Sequence, residues 1–271
     1  MHMARLWKRP RHHRRLAALA VAFGLIAAMA HGGEPPFRHS GDWILLPTNP
    51  RDPAWSQPTG QWFEASEVQT TGPDASLLTG TPGPGILVNG PTGKTSNLTT
   101  RRQFGSVEFE CEFLIPRGSN AGVKFEGLYE IQIRDSFGVN NPDATHSGGI
   151  YPRAQLEPNY HYLDSGHPPL VNAARPAGEW QTLSVHFCAP EFDLAGVKVA
   201  NARIALVLLN GQTVQKDVEL ATPTGHAWTN KEIPSGPILF QADHGPVAFR
   251  NVRVRPLSPD EVRQVRSQAE H

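Results

Sequence analysis

Asp243 and His244 occupy a polar corner between two alternating apolar runs. Before it, Ile238 and Phe240 alternate with Leu239 and Gln241. After it, Val252 and Val254 alternate with Arg253 and Arg255, and Gly245 and Pro246 break the chain between the two runs. Alternation of period two marks strands, so the stretch reads as strand, tight corner, strand, the last hairpin of a β fold. A histidine held where a rigid sheet hands over to a loop can exchange protons near neutral pH. A surface-turn histidine has the same local sequence, so both readings stay open.

Other chemistry-bearing residues recur with strand spacing. In the run from Tyr129 to Asp135, Glu130, Gln132 and Arg134 fall opposite Tyr129, Ile131 and Ile133, and Asp135 ends the strand. Upstream, the turn at Gly118 leads into a strand expected to carry Lys124 and Glu126, and downstream a Ser-Gly-Gly loop carries Tyr151. Glu108, Glu110 and Glu112 alternate with Val107, Phe109, Cys111 and Phe113, which makes one strand face acidic. Carboxylates, amides, a cation and aromatic rings around a groove suit a sugar, whose hydroxyls need hydrogen-bond partners and whose apolar face stacks on rings. A solvated sheet face has the same pattern. His146, His161 and His167 lie in a Pro/Gly-rich loop that fixes no metal-ligand spacing. A mixed site of oxygen donors with His244, holding a divalent cation, is the open alternative.

These residues need a scaffold, and the composition bounds it. The 271 residues have a formal net charge of zero, but Arg5, Lys8, Arg9, Arg11, Arg14 and Arg15 precede an uncharged apolar run from Leu16 to Met29. A basic start, a short apolar middle and the small-residue closure at Ala28 and Ala30 read as a secretory signal peptide over 1–30. The run is too short for a comfortable membrane span, so no stable membrane insertion of the mature chain is expected. Removing those cations leaves an acidic exported chain, periplasmic or secreted, and a poor partner for nucleic acid. Residues 31–58 read as a linker and edge segment, 59–257 as one sandwich domain and 258–271 as a tail.

Twenty-five prolines and twenty-five glycines, without a repeat, punctuate short runs as in all-β folds. Strands are expected at 60–64, 86–88, 106–115, 122–125, 129–134, 180–188, 200–209, 212–218, 236–241 and 247–254. Asn210-Gly211 predicts a two-residue hairpin, because both positions of a type I′ turn need positive φ. Ser258, Pro259 and Glu261 have the spacing of a capping box, so a short peripheral C-terminal helix follows. Export permits a disulfide between Cys111 and Cys188; buried free thiols are the equal alternative.

In one order along the chain, these motifs resemble the 3-keto-disaccharide hydrolase domain family over about residues 43–257. The resemblance rests on the run from Phe104 to Phe113, Asn120-Ala-Gly-Val-Lys124, Tyr129 to Ile133 with Asp135, Gly149 to Tyr151, Arg175 to Trp180, Leu209 to Gly211, and Gly236 to Leu257. Where family members often carry Arg shortly after the Gly-Val step, this chain has Lys124-Phe-Glu126-Gly.

The resemblance implies an all-β, concanavalin A-like jelly-roll β-sandwich with a short C-terminal helix. It further implies an enzyme acting on glycosides already oxidised at C3, with a small-molecule or oligosaccharide substrate. A C3 carbonyl acidifies the C2 proton; its removal lets the C1 aglycone leave by elimination, and water then adds. On this reading His244 is the general base or a ligand of the electrophilic centre, with Asp243 or another carboxylate holding its tautomer. Glu130 and Glu112 are the next catalytic candidates. Lys124, Gln132, Asp135, Tyr151 and Gln241 orient sugar hydroxyls or polarise the carbonyl. A noncatalytic carbohydrate-binding module and a conventional β-glucanase are the competing readings. Against the latter, Glu130-x-Gln132-x-x-Asp135 places an amide where a carboxylate is usual.

Overall fold

The computed structural model describes residues 42–56 and 60–268; the expected signal peptide lies outside them. The strands are β1 (Ile44–Leu45), β2 (Phe63–Thr71), β3 (Leu77–Val88), β4 (Leu98–Thr99), β5 (Val107–Leu114), β6 (Asn120–Phe125), β7 (Tyr129–Arg134), β8 (Ala154–Gln155), β9 (His161–Tyr162), β10 (Gln181–Cys188), β11 (Glu191–Phe192), β12 (Lys198–Ala200), β13 (Ala202–Leu209), β14 (Gln212–Leu220), β15 (Leu239–Gln241) and β16 (Ala248–Pro256). One antiparallel sheet runs β14-β13-β10-β5-β16-β3-β2, with β1 added on β16; a second runs β4-β15-β6-β7. This is the all-β jelly-roll sandwich the sequence leads one to expect, closed by helix α1 (Pro259–Gln268).

The two sheets meet through large buried side chains. Phe109 of β5 packs edge-on against Phe125 of β6 at 5.6 Å between ring centres, Phe125 stacks on Phe187 of β10 at 5.2 Å, and Phe240 of β15 meets Phe249 of β16 at 5.0 Å. Trp55, within the stretch expected as linker and edge segment, is buried against Phe240, and β1 pairs with β16.

Several local expectations hold for the stated reasons. Asn210 and Gly211 have φ of 52° and 78° and join β13 to β14, with Leu209 opposite Gln212. The amide of Ser258 donates to Glu261 Oε2 at 2.7 Å, and the amide of Glu261 to Ser258 Oγ at 3.3 Å, closing the capping box. The helix is also tied to the sandwich: buried Arg255 donates to Glu261 at 2.7 Å and to Glu108 at 2.6 Å. In β16 the register slips between Arg250 and Arg253, with Asn251 at a φ of 51°. The extra residue resets the alternation, so Phe249, Val252 and Val254 are all buried.

Other expectations need correction. The last two strands are not a hairpin: β15 belongs to the smaller sheet and β16 to the larger, so the Asp243–His244 corner crosses between layers. The β2–β3 hairpin is far longer than expected, because Gly80, Pro82, Gly83, Pro84 and Gly85 read as a break. They lie where β2, at the end of the sheet, pairs irregularly around Ala65, a place where prolines are tolerated. Cys111 and Cys188 are free and buried. Burial, with the Glu112 and Glu110 charges adding, pushes the Cys111 thiol up, and burial pushes Cys188 up to about 11.

Candidate active site

The smaller sheet turns one face to the core and the other to a cleft. On β6 and β7, Ala121, Val123, Phe125, Tyr129, Ile131 and Ile133 are buried in the core. Alternation then sends Asn120, Gly122 and Lys124, with Glu130 and Gln132, to the opposite face. Register completes the set: Gln241 pairs with Gly122, and Lys124 with Glu130. The cleft has a volume of about 480 Å³. Its polar lining is Asn97, Asn120, Lys124, Glu130, Gln132, Gln241, Asp243 and His244, and Tyr151, Leu156, Tyr160, Gly225 and His226 complete it.

At its floor Lys124 Nζ lies 2.9 Å from Glu130 Oε2, with 12% and 3% of the two side chains exposed. Gly122 makes room for that carboxylate, since a Cβ there would lie 2.5 Å from Glu130 Oε1. Gln132 donates to Asn120 Oδ1 at 2.5 Å. The carbonyl oxygens of the Gln132 and Gln241 side chains are buried without a hydrogen-bond partner. Unpaired acceptors of this kind are costly, so the cleft wall has unspent hydrogen-bonding capacity.

At its lip His244 Nδ1 lies 2.6 Å from Asp243 Oδ1 and 3.3 Å from Gln241 Nε2. About half of each side chain of the His–Asp pair is exposed. A proton on Nδ1, donated to the carboxylate, leaves Nε2 as the basic nitrogen.

The corner is fixed from behind by residues that sequence reasoning missed. Fully buried Asn89 donates to the carbonyls of Ala242 at 3.2 Å and Gly245 at 2.9 Å, and accepts from the amide of Val247 at 2.7 Å. Asn97 accepts from the amide of Ala242 at 2.9 Å, and Ser119 donates to the carbonyl of Pro246 at 2.6 Å. The backbone passes so close that a Cβ on Gly245 would meet Ser119 Oγ at 2.5 Å.

Of the sequence candidates, His244, Glu130, Lys124, Gln132, Tyr151 and Gln241 share this cleft, and two do not. Asp135 accepts from the amide of Gly118 at 2.9 Å just beyond β7. Glu112 lies on the face of the larger sheet turned from the core, where Arg250 donates to it at 2.6 Å and Asn251 at 2.5 Å. Although burial pushes the Glu112 carboxyl up, these two partners outweigh it and hold the pKa below the usual value. Glu108, Glu110 and Glu112 oppose Arg255, Arg253 and Arg250, so the acidic row is an ion-pair ladder between β5 and β16. Glu126 is not a strand residue. It sits at a φ of 56° after β6, buried, with both oxygens unpartnered, and burial together with the Glu232 charge pushes its pKa up to about 8.

Asn120 falls in the expected turn, but β6 begins two residues before the expected strand, which puts Asn120 on the face of Lys124. Leu156 and Tyr160 lie in a Pro-rich loop with no periodicity to mark them. Among the described residues no three His, Cys, Asp or Glu side chains are grouped to hold a metal ion, and no helix is long and apolar enough to cross a membrane.

Solved structures share this architecture. A protein of Parabacteroides distasonis ATCC 8503, provisionally described as a glycosyl hydrolase, has 21% identity, covers 85% of this chain and 98% of its own, and superposes with a TM-score of 0.50. A second from the same organism, described likewise, has 17% identity, covers 80% and 100%, and has a TM-score of 0.50. An endo-beta-1,4-glucuronan lyase of the fungus Trichoderma reesei has 11% identity, covers 80% and 97%, and has a TM-score of 0.42. A search of curated proteins gave no match. The model of the 3-keto-alpha-glucoside-1,2-lyase-like domain matches residues 51–255, which span strands β2 to β15, nearly all of β16 and every residue lining the cleft, and the chain belongs to that family.

Proposed function

We propose that the protein is an exported enzyme that cleaves 3-keto-glycosides by elimination across C1 and C2, followed by hydration. The observation that carries this reading is the pairing, in one cleft, of a His–Asp couple at the lip with a buried ammonium–carboxylate pair at the floor. His244 Nε2 takes the C2 proton, and Asp243 steadies the imidazolium through Nδ1. The Lys124 ammonium, positioned by Glu130, stabilises the negative charge that develops on the C3 oxygen. The enolate then collapses, the C1–O bond breaks, and the aglycone oxygen takes a proton back from the imidazolium. Water adds across the new double bond in a second step. Gln132 and Gln241 gain hydroxyl donors from the sugar for their unpartnered oxygens.

The family description, a lyase-like domain acting between positions 1 and 2, fits elimination. A β-glucanase mechanism fits less well, since Gln132 is an amide and Asp135 is bonded to the amide of Gly118 outside the cleft lining. Residues 1–30 supply the export signal in this reading, and cell fractionation with and without them tests it.

The His244→Ala variant tests the chemistry. Turnover of a 3-keto-glucoside should fall by about 10²–10⁴ with sugar binding retained. Retained turnover in the variant removes His244 as the base. Glycan binding without turnover in the parent makes the domain a carbohydrate-binding module. Assays with and without a chelator decide whether a divalent cation takes part.

A further inference from the structure

The cleft is lined by two chemistries. Its sheet floor and corner are polar, whereas the wall formed by Tyr151 with Leu156 and Tyr160 of the β8–β9 hairpin is made of rings and an aliphatic side chain. Leu156 and Tyr160 line the cleft and are 52% and 53% exposed, and Tyr162, packed against Tyr160 beside it, is 45% exposed; most of the other described aromatic side chains lie in the core. We infer that this wall is a leaving-group subsite for an aromatic aglycone. The inference rests on the proposed reading of the cleft and names the substrate class within it.

The wall is exposed yet held in place. Tyr151 Oη lies 2.9 Å from Tyr160 Oη and 3.0 Å from Tyr162 Oη, and the Tyr151–Tyr162 and Tyr160–Tyr162 ring pairs meet edge-on at 5.7 and 5.6 Å. At the base of the hairpin Arg153 Nε donates to Asp164 Oδ2 at 2.6 Å, and the amide of Leu163 to the carbonyl of Arg153 at 2.8 Å. Apolar surface held open in this way, instead of collapsing onto itself, is ready to bury a ring at little ordering cost.

Two features favour an aromatic group over a second sugar. The three phenolic hydroxyls bond to one another, which limits what they offer to a hydroxyl-rich leaving group. Leu156 adds aliphatic surface with no polar atom. The wall adjoins the reacting end, because Gly225 lies between Tyr151 and Glu130: a Cβ there would be 3.8 Å from Tyr151 Cδ1 and 4.0 Å from Glu130 Oε2.

The test compares benzyl and methyl 3-keto-glucosides of the same anomer, whose alcohols are similarly acidic, with a 3-keto-disaccharide. The parent should show a KM for the benzyl substrate about tenfold below that for methyl. Leu156→Ala and Tyr160→Ala should raise the benzyl KM about five- to tenfold while leaving the methyl KM and both kcat values unchanged; Tyr160→Phe, which keeps the ring and loses only its bond to Tyr151, should raise the benzyl KM by less than Tyr160→Ala does. Equal KM values in the parent, equal losses on both substrates, or a preference for the disaccharide overturns the subsite. Binding of unoxidised benzyl glucoside, followed by calorimetry, separates this from the chemistry. A parent that turns over none of the three substrates overturns the proposed reaction. If that parent still binds benzyl glucoside and the alanine variants do not, the aromatic subsite stands; if the parent does not bind it, the subsite falls too.

Discussion

Lys124 and Glu130 face each other across β6 and β7 and join at 2.9 Å in the floor of the cleft, with the carboxylate 3% exposed and the ammonium 12%. A buried pair of this kind is held by mutual need more than by net gain. Lys124→Met strands a carboxylate and should cost about 3 kcal/mol of unfolding free energy, whereas Lys124→Met with Glu130→Gln should recover most of it. Denaturant unfolding of the two single variants and the double variant measures the coupling. Independent, additive losses would show that the pair is not a unit.

Asn89→Ala tests whether the corner that carries His244 is fixed from behind. It deprives the carbonyls of Ala242 and Gly245 and the amide of Val247 of their buried partner. A loss of about 2–4 kcal/mol in stability is expected, together with faster amide exchange at Val247. Unchanged exchange there would mean that the corner holds itself.

Glu126 carries the opposite pH signature from most carboxylates. Its folded pKa of about 8 lies above the ordinary 4.5 because of burial, then the Glu232 charge. Between these values the unfolded chain has released the proton and the folded chain has kept it. Stability therefore falls as pH rises from about 4.5 to about 8. Glu126→Gln should remove that slope and gain on the order of a few kcal/mol at pH 8, with little change at pH 4. Parallel melting curves for variant and parent across this range would contradict the assignment.

Glu261 behaves the other way. Burial raises its carboxyl, but the Ser258 amide and the Arg255 guanidinium outweigh it and hold it down to about 2. Its contribution is complete above the ordinary value of 4.5 and is lost as pH falls toward 2. Glu261→Gln should therefore cost on the order of 2 kcal/mol at neutral pH and nothing near pH 2. Amide exchange along α1, measured with thermal melting, checks both limits.

What the sequence makes legible follows the range of each signal. The period of two in 129–134 and 122–125 is local, and it places Glu130 and Gln132 on one side of one strand and Lys124 on one side of the other; that β6 starts at Asn120 and adds it to the same face is seen only in the structure. The positive φ that Asn210-Gly211 invites and the capping box at Ser258 are also local, and both are found in the structure. Alternation does not say which side of which sheet carries a cleft. Glu112 obeys the same pattern as Glu130, yet the guanidinium of Arg250 claims it on the other layer. Nor does alternation choose a strand's partners: β15 and β16 flank a tight corner as hairpin strands do, but they enter different sheets. Asn89 was invisible because its three backbone partners lie more than 150 residues away.

The most direct measurement is turnover by the protein lacking residues 1–30 of a glucoside and of the same glucoside oxidised at C3, followed in deuterium oxide. Elimination across C1 and C2 requires aglycone release from the oxidised sugar alone, with C2 deuterium exchange or a transient unsaturated keto-sugar ahead of hydration. Release from the unoxidised glucoside at a comparable rate, or release from the oxidised one with the C2 proton retained, would contradict it.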